Sequence, residues 1–176
     1  VRLRVVRAIC EAFAENIAYS MTLVAPLLRE VPCGDIWVDG LVCNILSYCH
    51  LANARPQLAL DVQALIPNIK TTNRNLFVEV YRAYVVAQGF LRQGNLGEAE
   101  HLASQALLRA EQLTGPHSSS SATLSPLLAE IAWEQGDAAR INALLTLRLQ
   151  MIDDFCPPDG FSRCYIVLAQ HAQLNA

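Results

Sequence analysis

The chain reads Phe-Leu-Arg-Gln-Gly-Asn-Leu-Gly-Glu-Ala-Glu from Phe90 to Glu100, and this stretch decides the fold class. Apolar residues before it recur at helical spacing, and the pair Gly94-Asn95 is typical of a turn. Glu98 and Glu100 suit the positive end of a helix dipole. The stretch therefore predicts one helix, a tight turn and a second helix.

The same layout recurs along the chain. Gly136, in a Gln-Gly-Asp turn, follows Gly94 after about 40 residues, a period typical of helical repeats. A step of about the same size back from Gly94 reaches Ala54, and Pro56 behind it suits the first turn of a helix. A further step of that size falls near Glu15, a weaker turn. Recurrence at this period predicts an array of helical hairpins.

Each repeat is predicted to contain a helix A before the turn and a helix B after it. The predicted A helices are 1–13, 35–53, 76–93, 122–135 and 160–175, and the predicted B helices are 16–30, 56–66, 97–113 and 138–153. Loops rich in Pro, Gly and Ser are predicted to separate the helices, at 31–34, 66–68, 114–121 and 156–160. The serine run Ser118–Ser121 is expected to be a mobile loop. The predicted fold class is all-α, in a single domain over residues 1–176.

Composition and charge exclude several classes of protein. Hydrophobic residues make up 53% of the chain and charged residues 16%, which is too apolar for a wholly disordered chain. The net charge is −3, so no global basic field favours nucleic acid. The uncharged, mainly apolar stretches 16–28 and 40–54 are shorter than the ~20 residues that a membrane-spanning helix needs. The chain begins with Val1 and no signal segment, so we expect a cytoplasmic piece of a longer protein.

Cysteine and histidine carry little evidence of chemistry. None of the six cysteines forms a Cys-x-x-Cys pair, so no metal site or cofactor is expected and reduced thiols are the simplest interpretation. Pairing of Cys156 with Cys164 stays open. The four histidines have no nucleophile motif beside them, and a catalytic triad built on Cys49 or Cys164 has little support.

The residues around the Gly94 turn resemble a known repeat family. Gly94-Asn95-Leu96 with Glu98-Ala99, followed by Ala106-Leu107, resembles the tetratricopeptide (TPR) pattern. The stretches 127–137 and 153–170 are similar to the superhelical TPR region of large ATP-dependent LuxR-type activators, the MalT-like regulators. The Pro157–Asp159 loop is the most distinctive part. Two departures are Ala54, in place of the turn glycine, and Ile141, in place of a small residue.

The resemblance implies a right-handed superhelix of TPR-like hairpins that acts as the sensor or interaction region of a bacterial transcription regulator. An ATPase module would precede this region and a helix-turn-helix would follow it. The segment itself has no phosphate-binding loop, because its one lysine, Lys70, is not preceded by glycines. We therefore expect no enzymatic activity and no direct nucleic-acid or membrane binding by this segment. The alternatives are a free-standing TPR scaffold and, with least support, an enzyme with a helical-hairpin body.

The resemblance also places a binding site, because helix A lines the concave surface of a TPR array. Four residues of one A helix recur at steps of three and four and are predicted to form an open stripe: Tyr81, Tyr84, Gln88 and Arg92. Neighbouring repeats add Asn44, Tyr48, Glu130 and Trp133. Aromatic rings, amides and an arginine suit a sugar-like or peptide ligand, so the expected partner is a small-molecule inducer or a regulatory protein. The last helix is expected to expose an apolar stripe, which would allow self-association.

Overall fold

A computed structural model describes residues 1–66 and 76–174. Within these residues the chain forms ten α-helices and one 3-10 helix and contains no strand, which confirms the predicted all-α class. The elements are α1 (Arg2–Phe13), α2 (Ile17–Val24), the 3-10 helix Ala25–Glu30, α3 (Ile36–Ala52), α4 (Pro56–Ala64), α5 (Leu76–Arg92), α6 (Leu96–Thr114), α7 (Ser119–Glu134), α8 (Ala138–Leu145), α9 (Leu149–Phe155) and α10 (Pro158–Leu174). None of the described helices is both long enough and apolar enough to cross a membrane.

The chain divides into two compact units, Val1–Asn95 and Leu96–Ala176. The first unit contains α1 to α5 and the second contains α6 to α10. Repeat arrays also divide in this way, because each repeat contacts only its neighbours. The prediction of a single domain therefore stays a prediction.

Four helix ends share one turn geometry. Backbone φ is positive at Glu15 (63°), Ala54 (56°), Gly94 (79°) and Gly136 (71°), the four positions that the repeat predicts as turns. At each of them the N–H of the turn residue donates to the carbonyl three residues earlier, and the next N–H donates to the carbonyl five residues before it. This is the Schellman ending of a helix. The predicted turns are therefore confirmed at all four positions, two of which have no glycine.

The start of α7 corrects the prediction for the serine run. Ser118 is the N-cap, since its hydroxyl oxygen accepts a bond from the N–H of Ser121 at 3.2 Å. Ser121 is buried, and its hydroxyl donates to the carbonyl of Gly115 at 3.1 Å. Side-chain oxygens thus satisfy the free N–H groups at the helix start. Ser118–Ser121 is the ordered beginning of a helix and not a mobile loop.

The helix predicted at 138–153 is wrong as a single element, because it is divided into α8 and α9. Arg148 lies at the break and is only 8% exposed. Its guanidinium donates to the carbonyls of Ala143 and Leu144, both at 3.0 Å, and to that of Pro116 at 3.0 Å. It also pairs with Glu111. These bonds satisfy carbonyls at the end of α8 and stabilise the interruption.

Two further differences concern loops. The helix α10 begins at Pro158, and the N–H of Phe161 donates to the carbonyl of Pro157 at 2.9 Å, so the predicted Cys156–Gly160 loop is shorter than expected. Residues 67 and 68 of the loop predicted over 66–68 lie outside the described residues, as does Lys70.

Two serines connect helix A to helix B in the first unit. The hydroxyl of Ser20 in α2 donates to the carbonyl of Ala8 in α1 at 2.7 Å, and that of Ser47 in α3 donates to the carbonyl of Ala59 in α4 at 2.8 Å. Both serines are fully buried in an otherwise apolar interior. A buried hydroxyl needs such a partner, so these bonds favour one relative placement of the two helices.

Candidate binding site

A small apolar cleft lies on the A helices of the first unit. Three consecutive A helices line it: α1, α3 and α5. It is shallow, with about 20 Å³ of space inside it, or about 340 Å³ when adjoining open solvent is included, and the lining atoms that reach solvent are apolar. Its lining residues are Ile9, Ala12, Phe13, Leu41, Asn44, Ile45, Tyr48, Phe77 and Tyr81. Three of the predicted site residues, Asn44, Tyr48 and Tyr81, therefore meet at one place.

Four aromatic rings surround the cleft. The rings of Phe13 and Tyr81 stack with centroids 6.2 Å apart and planes at 24°, and Phe13 meets Tyr48 edge-on at 5.9 Å. Phe77 contacts Tyr81 at 4.6 Å. Phe77 is 49% exposed, so the cluster presents ring surface to solvent. Such rings offer a large apolar surface, and their faces and edges favour particular orientations of a second apolar group.

Asn44 lies below these rings and is already hydrogen-bonded. Its amide nitrogen donates to the carbonyl of Val78 at 2.9 Å, and its amide oxygen accepts from Gln63 at 3.0 Å. Gln63 also donates to the hydroxyl of Ser47 at 3.1 Å. Since Asn44 and Gln63 are each 3% exposed, this network joins α3, α4 and α5. Asn44 supports the floor of the cleft and does not present its amide to a ligand.

Two residues of the predicted open stripe are buried, which corrects the prediction. Tyr84 is 0% exposed and Gln88 is 3% exposed. Their helix, α5, packs against both α3 and α4, so burial extends over more than one of its faces. Gly89 marks the close approach, because a Cβ built there would lie 2.9 Å from a methyl carbon of Leu60 in α4. Neither Tyr84 nor Gln88 lies in an open groove.

The remaining predicted residues do not join the cleft. Arg92 is exposed at the end of α5 and is not among the residues that line the cleft. Glu130 and Trp133 belong to α7 in the second unit, and both are half-buried. Glu130 forms an ion pair with Arg163 of α10. This pair holds two helices of the second unit together, which is a structural role for Glu130.

Sequence reasoning missed two rings of the cluster, Phe13 and Phe77. The spacing of Phe77 was informative, because it lies one helical turn before Tyr81 and on the same side of α5. Phe13 gave a weaker signal: it ends the first A helix, just as Tyr48 lies near the end of the second. Only the packing of α1 against α3 shows that these positions meet.

A second cleft lies beside the start of α1, and two of its carboxylates, those of Asp35 and Asp39, have structural partners. It encloses about 900 Å³, open solvent included, and Val1 forms part of its wall. The carboxylate of Asp39 is buried and accepts bonds from the N–H groups of Cys33 at 2.9 Å and Gly34 at 3.2 Å. Asp35 pairs with Arg2 at 2.7 Å. The carboxylates thus hold the loop that precedes α3.

The cysteine thiols are unpaired and the buried ones are poor nucleophiles. All six are free, so Cys156 and Cys164 do not form a disulfide. Burial raises the pKa of the Cys164 thiol to about 11 and also raises the pKa of Cys49. A thiol is nucleophilic as its thiolate, so these two thiols are protonated at neutral pH. Among the described residues, no group of three or more His, Cys, Asp or Glu side chains could hold a metal ion.

No protein-family model, curated protein or solved structure matches the chain.

Proposed function

We propose that the chain is the sensor or interaction region of a bacterial, cytoplasmic LuxR-type regulator of the MalT-like kind. The observation that carries this proposal is the aromatic cleft on α1, α3 and α5, which is lined by A helices alone. In the TPR arrangement these helices form the concave, ligand-binding side. The regular recurrence of one turn geometry, at Glu15, Ala54, Gly94 and Gly136, also supports a superhelix of TPR-like hairpins.

The size and chemistry of the cleft define what it binds. The space inside the cleft that a bound group could fill is about 20 Å³, far below the roughly 300–1,000 Å³ of ordinary ligand pockets, so an occupant would rest on the rings rather than enter a cavity. Its accessible lining is apolar, so the best occupant is a single aromatic or aliphatic group. Such a group is a hydrophobic part of a small inducer or a side chain of a regulatory protein. A long sugar chain fits less well, because the amide of Asn44 is engaged within the interior.

A pair of variants tests the cleft. Phe77→Ala removes an exposed ring from its rim, whereas Leu58→Ala removes an exposed side chain of α4 that does not line it; the two are 49% and 42% exposed. In cells that carry the full-length regulator and a reporter gene, we expect Phe77→Ala to weaken induction about tenfold or more, since a buried aromatic contact is commonly worth ~2 kcal/mol. Leu58→Ala should leave induction unchanged. Equal effects would count against the cleft.

The complete reading frame tests the regulatory assignment. A phosphate-binding loop upstream and a helix-turn-helix downstream would support it, whereas the absence of both would favour a free-standing scaffold that binds a protein or peptide. Small-angle scattering tests the superhelix, for which we expect an elongated particle with a strongly helical circular dichroism spectrum. As part of a regulator this segment would bind a partner and leave ATP and DNA to the flanking modules, whereas as a free-standing scaffold it would only bind its partner.

A further inference from the structure

The last helix carries an apolar face that the described residues leave exposed. Phe161, Tyr165 and Ile166 in α10 are 42%, 42% and 57% exposed, and the exposed Ala169 continues the same side. Val167, on the other side of the helix, is buried at 1%. Residues one helical turn apart lie above each other, so the exposed residues form a stripe along α10. The apolar stripe expected on the last helix is therefore confirmed.

One edge of this stripe is acidic. The hydroxyl of Tyr165 donates to the carboxylate of Asp153 at 2.7 Å, which places that carboxylate beside the stripe. Asp154 follows it in α9 and accepts from the amide of Gln150 at 3.1 Å. Both carboxylates are exposed, and their hydrogen-bond partners within the described residues are neutral side chains. The rings Phe161 and Tyr165 lie 4.9 Å apart, so aromatic surface and negative charge adjoin.

The arginine of α10 does not neutralise this edge. Arg163 is only 8% exposed and pairs with Glu130 of α7, on the buried side of the helix. The same pair holds α10 against α7, so the exposed stripe is presented by a fixed element. The surface is apolar at its centre and negatively charged at one edge. It therefore favours a partner surface that is apolar at its centre and positively charged at the matching edge.

We propose that this acidic–aromatic face, defined as Asp153, Asp154, Phe161, Tyr165 and Ile166, docks an amphipathic helix that has lysine or arginine beside its apolar stripe. A helix is the fitting shape, because the stripe runs along α10 for more than one turn and matches side chains at steps of three and four. Cationic side chains of the partner would meet both aspartates and the faces of the two rings.

A second copy of this chain is a poorer occupant. In a two-fold dimer the same patch contacts itself, so the acidic edges of both copies would share one interface. Like charges placed together oppose association. The proposal uses residues of the second unit only, and it does not rest on the proposed function of the cleft on α1, α3 and α5.

Two synthetic peptides test the charge preference. One carries a leucine stripe flanked by lysines, and its twin carries glutamates at the same positions. By fluorescence anisotropy we expect the lysine peptide to bind at least about tenfold more tightly at low salt, and the difference to shrink as salt is added. The double variant Asp153→Asn, Asp154→Asn should abolish the difference between the two peptides. Equal affinity of both peptides for the unmodified chain would overturn the proposal.

Matched variants test the location. Ile166→Asp and Leu108→Asp place the same charge at sites that are 57% and 58% exposed, in α10 and α6. We expect Ile166→Asp to abolish binding of the lysine peptide and Leu108→Asp to leave it unchanged. Equal loss in both would place binding elsewhere and contradict the proposal. If sedimentation shows a dimer that Ile166→Asp dissociates, the face belongs to a second copy instead. The aspartate-to-asparagine arm stays decisive even if Ile166→Asp lowers the helix content.

Discussion

At the scale of single residues, Tyr84 has a predictable energetic role. Its side chain is fully buried, so Tyr84→Ala removes a large ring and leaves a cavity. We expect the free energy of unfolding to fall by about 3–5 kcal/mol, as for other aromatic truncations in protein interiors. Urea denaturation measures this change, with Phe77→Ala as the control. Phe77 is 49% exposed, and its loss should cost about 1 kcal/mol or less. Similar midpoints for both variants would show that Tyr84 is not an interior residue.

The placement of Tyr84 shows what a helical stripe predicts and what it does not. Steps of three and four show that Tyr81, Tyr84 and Gln88 lie on one side of α5. They do not show how far neighbouring helices cover that side. Tyr81 is half-buried at the cleft, whereas Tyr84 and Gln88 are inside. The binding surface predicted on the A helices stays a prediction; the sequence did not show that contacts of α5 with α3 and α4 bury two of its residues.

A second residue-scale prediction concerns alkaline pH. Burial raises the pKa of the Cys43 thiol from 9.0 to about 12. Because the folded value is higher than the unfolded one, its contribution to stability is fully present below about pH 9 and is lost as the pH rises towards 12. We expect unfolding free energies measured across this range to fall less steeply in Cys43→Ala than in the unmodified chain. Cys10→Ala, at an exposed site, should keep the original slope. Identical slopes for all three would contradict the assigned cause.

At the scale of elements, the repeated turn makes opposite predictions for two substitutions. Ala54 has a φ of 56°, which strains a residue with a Cβ, so Ala54→Gly should raise stability by roughly 0.5–1 kcal/mol. Gly94 has a φ of 79° and a Cβ there would meet no atom within 4 Å, so Gly94→Ala should lower stability by about 1 kcal/mol through backbone strain alone.

Gly97 is the control for these turn variants. It lies in the first turn of α6 with open space around it, where helix propensity counts for less than in a helix interior, so Gly97→Ala should raise stability by up to about 0.5 kcal/mol. Thermal and urea denaturation of the three variants measure the signs. A loss of stability in Ala54→Gly would show that the four turns are not equivalent.

The elements also show why local patterns predicted most helices but not all of them. Turn residues and helical spacing act within a few positions, so the turns at Glu15, Ala54, Gly94 and Gly136 were readable from the sequence. The break between α8 and α9 depends on Arg148, whose partners Glu111 and Pro116 are 37 and 32 residues away. A contact of that separation has no signature in the sequence around the break. The serine run is different, because its bonds are local: Ser118 caps α7 by accepting from the N–H of Ser121, and Ser121 donates to the carbonyl of Gly115, so a capping signal was present in the sequence itself.

At the scale of the whole molecule, the balance of charge limits what the chain binds. The net charge is −3, with 13 basic and 16 acidic residues. Within the described residues, the arginines that pair with carboxylates of the chain itself include Arg2, Arg7, Arg140, Arg148 and Arg163. An arginine that is already paired has less charge to offer a phosphate. Part of the positive charge that could bind a nucleic-acid backbone is therefore neutralised by carboxylates of the protein itself.

The last prediction follows from that balance. Affinity for duplex DNA comes largely from counterions released when lysine and arginine neutralise phosphates. With a negative net charge, we expect a dissociation constant weaker than ~100 µM at physiological salt, the weak end of non-specific binding. Anisotropy of a fluorescent duplex measures it, and repeating the titration at low salt reveals any weak electrostatic contact. A micromolar constant that weakens steeply with salt would show a basic surface that acts on DNA directly. The assignment of DNA binding to a separate module of the proposed regulator would then be wrong.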